Sequence, residues 1–202
     1  MGLFKKENKK EEMLAPKSTA AVVVGFIFEI VQVVAISLAI IIPIRYFLIQ
    51  PFYVKGASME PNFYDHEYLI IDEVSYRLGE PDRGDIIVFK YPSDPKQYFI
   101  KRIVGLPNET VEVKDGNVVI YNEEFTNGMA LEEEYLDGVI TAGQKKVKLR
   151  SDEYYVLGDN RNSSLDSRTF GPVNQDYIVG KVWFRGWPVT KIKFFENPEY
   201  NL

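Results

Sequence analysis

The chain has 202 residues, of which 46% are hydrophobic and 26% charged, enough for one core and a membrane segment but hardly for two full domains. Its net charge is -5, and the lysines and arginines form no basic stripe, which argues against a nucleic-acid partner. There is no cysteine and a single histidine, His66. Disulfides and a cysteine nucleophile are therefore excluded, and we expect no metal site and no cofactor.

The first 48 residues predict a polar tail and a membrane anchor. Residues 1–17 are rich in lysine and glutamate, and such a segment cannot bury a core, so we expect a disordered cytoplasmic tail. Residues 20–44 are apolar apart from three polar side chains. This run exceeds the roughly 20 residues that a helix needs to cross a bilayer. We therefore predict a single transmembrane helix within residues 18–48, with the lipid bilayer as its partner.

Charge sets the expected orientation of this anchor. Five lysines precede it and few basic residues closely follow it, which predicts a cytoplasmic N-terminus and an extracytoplasmic location for residues 49–202. A cleavable signal peptide is the alternative, but the apolar run continues well beyond Ala39 and is long for one. Glu29 lies either inside the membrane in a functional role or near its inner interface.

Beyond residue 50 the hydrophobic pattern is that of strands, so the fold class is mostly β with an N-terminal transmembrane helix. Asp115-Gly116 between two valine-rich runs predicts a hairpin. Residues 126–146 show little periodicity, and we expect a loop or small lobe at about 115–150. The predicted strands lie at residues 67–74, 85–91, 97–104, 110–114, 117–121, 146–149, 154–157 and 179–185.

Lys101 is placed unusually within one of these strands. In "YFIKRIV" it shares a strand face with Phe99 and Ile103. Burial there would favour the neutral amine and lower the lysine pKa, which makes Lys101 a candidate general base. Arg102 cannot take that role, because a guanidinium keeps its proton in proteins. The alternative is a lysine that buries its stem and keeps its amine in water.

Ser58 lies in "KGASMEP", shortly after the predicted anchor. A serine nucleophile needs a base within reach and donors for the oxyanion, and Gly56 and Ala57 leave the backbone open to approach. A plain loop that leaves the membrane is the alternative. His66 is a second candidate base, but its hydrophilic setting in "YDHEY" is typical of a solvated turn or the start of a strand.

The stretch "GDNRNSSLDSRTFGPV", residues 158–173, is dense in short polar and charged side chains. It directly follows an apolar strand and contains Asp159, Arg161, Asp166 and Arg168. Such a density exceeds what an ordinary connection needs, which indicates a functional loop. A structural ion-pair corner is the alternative.

Four motifs together resemble the type I signal peptidases, membrane-anchored serine proteases that remove signal peptides from exported proteins. The resemblance covers nearly the whole chain, and the single anchor is similar to the compact enzymes of Gram-positive bacteria. The motifs are "SMEP" at 58–61, "RGDIIVF" at 83–89, "YFIKRIVGLPNETV" at 98–111 and "GDNRNSSLDSRTFG" at 158–171.

The resemblance implies roles for particular residues. Ser58 would be the nucleophile, Lys101 the general base and Ser164 the serine that orients the lysine. The oxyanion would be held by the Ser58 backbone N–H with a contribution from the region of Gly56. The remaining implied roles are support by Asp159, Asp166, Arg168 and Arg102, and substrate contact by Met59.

The implied substrates are secretory precursors, bound as an extended strand and cut after small residues of the Ala-x-Ala type. Phe52, Tyr53, Met59 and Phe63 are expected to rest the site on the outer leaflet. The sequence departs from the family pattern at Asn62, Phe63, Asn108, Ser163 and Thr169.

Two other functions remain open at this point. One is a self-cleaving Ser/Lys protease of the repressor type, although the anchor replaces a DNA-binding domain. The other is a non-catalytic, membrane-tethered β protein in which Ser58 and Lys101 are incidental.

Overall fold

The computed structural model describes residues 18–47 and 49–201. The predicted cytoplasmic tail, residues 1–17, lies outside the described residues. The chain divides into two units, of which the first ends at Pro43 and the second begins at Ile44.

A long apolar helix, α1, occupies Thr19–Phe47, and its residues up to Pro43 belong to the first unit. Within the described residues it is the one helix long and apolar enough to cross a membrane, over Val22–Pro43. From Val22 to Ile42 its valine, isoleucine and phenylalanine side chains are exposed, as on a helix whose apolar surface faces lipid. The predicted helical span is thus confirmed as a helix of sufficient length.

The second unit is built mainly of antiparallel strands, as the alternating patterns predict. It also contains two short α-helices, α2 at Ser75–Leu78 and α3 at Ser167–Phe170, and 3₁₀ turns at Glu134–Leu136, Gln175–Tyr177 and Val189–Lys191. The strands are β1 Ile49–Tyr53, β2 Tyr68–Asp72, β3 Ile86–Tyr91, β4 Asp94–Gly105, β5 Thr110–Lys114, β6 Asn117–Tyr121, β7 Met129–Ala130, β8 Lys145–Lys148, β9 Glu153–Leu157, β10 Val173–Asn174, β11 Ile178–Trp187 and β12 Lys193–Phe194.

The larger sheet carries the residues of interest. Its strand order is β1-β2-β11-β3-β4-β9-β10, with β12 paired to β11. β3 is buried on both faces: Ile86 and Val88 belong to one hydrophobic cluster, whereas Ile87 and Phe89 belong to another. This explains why "IIVF" is a continuous apolar run and does not alternate with polar residues.

The smaller sheet is ordered β7-β6-β5-β8. The predicted hairpin is confirmed between β5 and β6, where Asp115 has φ 51° and Gly116 has φ 85°. Two consecutive positive φ values suit the tight turn that matches strand twist. The sheet begins at Thr110, and its strands β5, β6 and β8 lie where the sequence predicts strands, whereas the short β7 falls within residues 126–146, where no periodicity is found.

β1 was not predicted as a strand. The segment Ile49–Tyr53 reads as a linker between the anchor and the domain, yet it pairs antiparallel with β2, with Pro51 opposite Ile70. Proline lacks the N–H that a central strand must donate, so it is tolerated at a sheet edge. Edge position thus explains how a proline-containing linker sequence becomes a strand.

Met59 and Phe63 correct one expectation. Their exposed fractions are 1% and 0%, and both pack in the cluster that contains Leu69 and Val88. A side chain enclosed in this way cannot rest on a membrane leaflet, so the predicted leaflet contact is wrong for these two residues. They instead anchor the turn after Ser58 to the core.

Candidate active site

Ser58 and Lys101 meet although 43 residues separate them. Ser58 lies in the turn region after β1, which is held down by the buried Met59. Lys101 lies in the middle of β4, opposite Ile87 of β3. The Lys101 Nζ atom is 2.8 Å from the Ser58 Oγ atom, within hydrogen-bond distance, and it donates a second hydrogen bond of 2.8 Å to the Ile100 carbonyl.

Lys101 is 3% exposed, so of the two alternatives that the strand pattern left open, the structure has the buried lysine and not one that keeps its amine in water. Burial disfavours the charged ammonium and lowers the pKa of Lys101 from 10.5 to about 8, although the negative charges of Asp166 and Asp159 oppose the change. The Phe99 ring, with its centroid 5.3 Å from Nζ, makes a cation–π contact that also favours the charged form, but burial has the larger effect on the pKa. A useful fraction of the amine is therefore neutral near physiological pH.

The loop after β9 is hydrogen-bonded to the main chain on either side of Ser58. The Asn160 backbone N–H donates to the Ser58 carbonyl over 3.1 Å, and the Asn160 side-chain Nδ2 donates to the Ala57 carbonyl over 3.0 Å. Sequence analysis singled out the loop but missed Asn160, because a side chain that binds only distant backbone leaves no pattern in the sequence.

Arg102 and Asp159 form a buried ion pair near Ser58 and Lys101. Two parallel hydrogen bonds of 2.9 and 2.8 Å join them, and the Arg102 Nη1 donates to the Gly84 carbonyl over 3.0 Å. Asn62, one of the departures from the family pattern, donates its Nδ2 to Asp159 over 2.9 Å. The strand that carries Lys101 is thus tied to the loop that holds Ser58.

Asp166 and Arg168 form a second pair in the same loop, with hydrogen bonds of 2.9 and 2.8 Å. Asp166 also caps α3 by accepting from the Arg168 N–H, and it accepts from the Gly158 N–H over 3.2 Å. Arg168 donates to the Arg161 carbonyl over 2.7 Å. These contacts fix the shape of the loop, so the pair has a supporting position.

Ser164 lies in the same loop, close to Gly158. Its Oγ atom is buried and has no hydrogen-bond partner among the described residues. A Cβ at Gly158 would lie 2.2 Å from that Oγ and 2.5 Å from the Ser58 carbonyl oxygen. Only glycine fits at position 158, because any Cβ there would overlap Ser164 and the Ser58 carbonyl. Among the described residues Ser164 makes no hydrogen bond to Lys101. The orienting role of Ser164 therefore stays a prediction.

Gly56 has φ 89°, a backbone conformation that glycine adopts readily. Its N–H donates to the Asp65 carboxylate over 3.1 Å, so this donor is already occupied. His66, the other candidate base, is exposed, and its Nδ1 contacts the Tyr53 hydroxyl. It does not contact Ser58.

A cleft of about 560 Å³ opens beside Ser58 and Lys101. β1 forms one wall and β4 the other, and the rings of Phe52 and Tyr98 approach to 5.5 Å between centroids. Met59 does not line the cleft, so the predicted substrate contact by this residue is not found. The lining residues are Phe52, Tyr53, Val54, Lys55, Ser58, Leu69, Val88, Gln97, Tyr98, Phe99, Ile100, Lys101 and Leu165.

Two strand edges face this cleft without a strand partner among the described residues. β1 pairs only with β2, and β4 pairs with β9 only from Arg102 onward. The backbone of residues 97–101 therefore has one unpaired side, like an edge strand that can accept another chain. Within the described residues, no group of three or more histidine, aspartate or glutamate side chains could hold a metal ion.

A buried lysine thus lies against a serine hydroxyl, in a cleft between two open strand edges of a β-rich domain. Residues 27–187 match the family model "Signal peptidase, peptidase S26". The chain therefore belongs to the signal peptidase family, peptidase S26. As a member it is an enzyme, a serine peptidase that hydrolyses peptide bonds.

Individual relatives agree with this family. "Probable signal peptidase I-2" of Synechocystis sp. is 41% identical over 167 residues, which cover 80% of this chain and 72% of the relative. "Signal peptidase I" of Leptolyngbya laminosa is 36% identical over 173 residues, or 82% of each chain. A crystal structure of a signal peptidase I from Enterococcus faecalis V583 matches with a TM-score of 0.44 and 34% identity, covering 52% of this chain and 97% of that one.

Proposed function

We propose that the protein removes N-terminal signal peptides from exported precursor proteins. It cuts after small residues, with Ser58 as nucleophile and Lys101 as general base. The observation that carries this proposal is the 2.8 Å contact between the Ser58 Oγ and the Lys101 Nζ. The low exposure of that lysine and its pKa of about 8 support it.

Acylation follows from this contact. The neutral Lys101 amine accepts the Ser58 hydroxyl proton as the oxygen bonds to the substrate carbonyl carbon. The resulting ammonium donates a proton to the leaving amine as the C–N bond breaks. This leaves an acyl group on Ser58 and a neutral lysine. The same lysine then accepts a proton from a water molecule, which hydrolyses the ester and restores the serine hydroxyl.

The tetrahedral intermediate needs a donor for its oxyanion. The Ser58 backbone N–H has no hydrogen-bond partner among the described residues, so it is available to that oxygen. The Gly56 N–H is held by Asp65. Gly56 therefore shapes the turn before Ser58 and does not donate to the oxyanion. A second oxyanion donor would have to come from another group.

The substrate binds as an extended strand between β1 and the open edge of β4. Main-chain hydrogen bonds to residues 97–101 give affinity without regard to sequence, as in other peptide complexes formed at a strand edge. The cleft side chains set the preference. Leu69, Val88 and Ile100 supply apolar surface, which suits small aliphatic residues of the Ala-x-Ala type before the cut.

The proposal extends to location. Helix α1 anchors the protein in the plasma membrane as a single span, with residues 1–17 in the cytoplasm and residues 49–202 outside. Charge around the apolar segment supports this orientation. Exported precursors and the lipid bilayer are then the partners of the enzyme.

Cleavage by the purified full chain in detergent tests the proposal. A peptide with Ala-x-Ala before the cut is compared with one carrying phenylalanine at both alanine positions. We expect cleavage of the first and a loss of at least about 100-fold for the second, since a side chain too large for the proposed small-residue sites would displace the scissile bond from Ser58. Ser58→Ala should abolish cleavage, whereas Ser163→Ala, at an exposed serine in the loop after β9, should leave it unchanged.

The same assay separates the rival functions. Equal cleavage of both peptides contradicts the small-residue rule, and activity in Ser58→Ala contradicts the nucleophile. A self-cleaving protease would shorten its own chain and leave both peptides intact. A non-catalytic protein would do neither.

A further inference from the structure

The peptide unit that joins Ala57 to Ser58 is held from one side. Its carbonyl oxygen accepts the Asn160 Nδ2–H over 3.0 Å and also accepts the Glu60 N–H over 3.2 Å. Asn160 lies 103 residues away in sequence. The side chain thus reaches from the loop after β9 to one particular carbonyl of the nucleophile segment.

The same peptide unit carries the N–H of Ser58. In a trans peptide the carbonyl oxygen of one residue and the amide hydrogen of the next lie in one plane and point in opposite directions. A hydrogen bond that fixes the Ala57 oxygen therefore fixes the direction of the Ser58 N–H. Rotation of the plane would turn that N–H away and break the bond to Asn160.

The next peptide unit is held by the main chain of the same residue. The Asn160 N–H donates to the Ser58 carbonyl over 3.1 Å, and the same carbonyl lies so near Gly158 that a Cβ there would be 2.5 Å from its oxygen. The Ser58 N–H itself has no partner in residues 18–47 and 49–201. The two carbonyls around Ser58 are engaged, while the donor between them is left unpaired.

We propose that Asn160 is a positioning residue, whose side chain aims the Ser58 N–H at the developing oxyanion. This inference rests on the proposed function, because it assumes that Ser58 is acylated. Asn160 does not line the cleft, and its contacts with this segment are to the Ala57 and Ser58 carbonyls. Its effect should appear only where negative charge forms on the former carbonyl oxygen.

The expected effect of Asn160→Ala follows from this role. The main-chain hydrogen bond to Ser58 remains, so the loop should keep its place. Removal of one oxyanion donor costs roughly 100- to 1,000-fold in kcat in other hydrolases, and loss of its alignment should cost less, roughly 10- to 100-fold. KM should change little, because ground-state binding along the strand edges is untouched.

The test uses peptide inhibitors and the full chain in detergent. A peptide aldehyde forms a tetrahedral adduct with a serine and places an oxygen in the oxyanion site, whereas the matching peptide alcohol does not. Asn160→Ala should weaken aldehyde binding by about the same factor as kcat/KM and leave alcohol binding unchanged. The pH midpoint of activity should not move, because the pKa of Lys101 is set elsewhere.

Two variants complete the design. Asn162→Ala, at an exposed asparagine in the same loop, should behave like the wild type. Asn160→Ser keeps a donor on a shorter side chain and should fall between Asn160→Ala and the wild type. It also serves if the alanine variant lowers the melting temperature substantially.

Equal weakening of aldehyde and alcohol, a kcat like that of the wild type, or a displaced pH midpoint would each overturn the positioning role. These results differ from a failure of the proposed function, in which Ser58→Ala would retain activity or the wild type would not cleave the peptide.

Discussion

Asp159 accepts two hydrogen bonds from Arg102, 2.9 and 2.8 Å long, across 57 residues of sequence. Arg102 follows the proposed base on β4, and Asp159 precedes Asn160, which holds the nucleophile segment. Their side chains are 5% and 0% exposed. Because such a pair is largely removed from water, the loss of one partner leaves the other charge buried without compensation.

Asp159→Ala should therefore be strongly destabilising. We expect a loss of about 3–5 kcal/mol in the free energy of unfolding, the usual result of breaking a buried pair. Arg150→Ala is the control, since Arg150 pairs with Glu153 from a side chain that is 74% exposed, and such pairs contribute about 1 kcal/mol or less. Denaturant unfolding measures both, and equal effects would contradict the structural role.

The pH dependence of cleavage should report the Lys101 amine. Only the neutral form accepts the serine proton, and the pKa of Lys101 is lowered to about 8 by burial. We expect kcat/KM to rise about tenfold per pH unit below that value and to level off above it. Stopped assays of the Ala-x-Ala peptide measure the profile. A flat profile between about pH 6 and pH 9 would argue against a lysine base.

Burial of Lys101 should also make stability depend on pH. Its folded pKa of about 8 lies below the ordinary 10.5, so between these values the unfolded chain binds more protons and stability rises with pH. Lys101→Met, similar in volume, lacks this dependence. The variant should be more stable than the wild type below pH 8, by about 3 kcal/mol at most, and the difference should vanish towards pH 10.5. A constant difference would contradict the shift.

Gly158→Ala tests the close approach of the loop to the nucleophile segment. The added Cβ would lie 2.5 Å from the Ser58 carbonyl oxygen and 2.2 Å from the Ser164 Oγ, so the two segments must separate. We expect a loss of about 100-fold or more in kcat/KM, the effect of a 1 Å displacement in a catalytic site. Gly186→Ala is the control, because its nearest neighbour would be an ordinary 3.5 Å away. Similar activities in the two variants would refute the constraint.

Local patterns allowed most strands to be predicted. Asp115-Gly116 specifies a turn through its own backbone preferences, and the strand face of Lys101 follows from alternation. β1 was not predicted, because a proline within the segment argues against a strand and the apolar anchor that precedes it obscures any alternation. The burial of Met59 and Phe63 was missed because a short turn has no period that would reveal it.

Recognisable motifs drew attention to Ser58, Lys101, Asp166 and Arg168 in the sequence, and the structure brings Ser58 to Lys101 and Asp166 to Arg168. The contacts of Asn160 and Asn62 were not predictable, because their partners are carbonyls and a carboxylate far away in sequence. The unavailability of the Gly56 N–H could not be foreseen either. It depends on Asp65 folding back over the turn, which only tertiary structure determines.

Lys101→Arg tests the central claim most directly, because arginine keeps the positive charge and much of the side-chain length but does not lose its proton. The measurement is kcat/KM for the Ala-x-Ala peptide at pH 9, beside Lys114→Arg, at an exposed lysine of β5. The account predicts wild-type activity in the control and a loss of at least about 1,000-fold in Lys101→Arg, since general base catalysis alone is worth roughly 100- to 10,000-fold. Activity of Lys101→Arg within about tenfold of the wild type would contradict the lysine base.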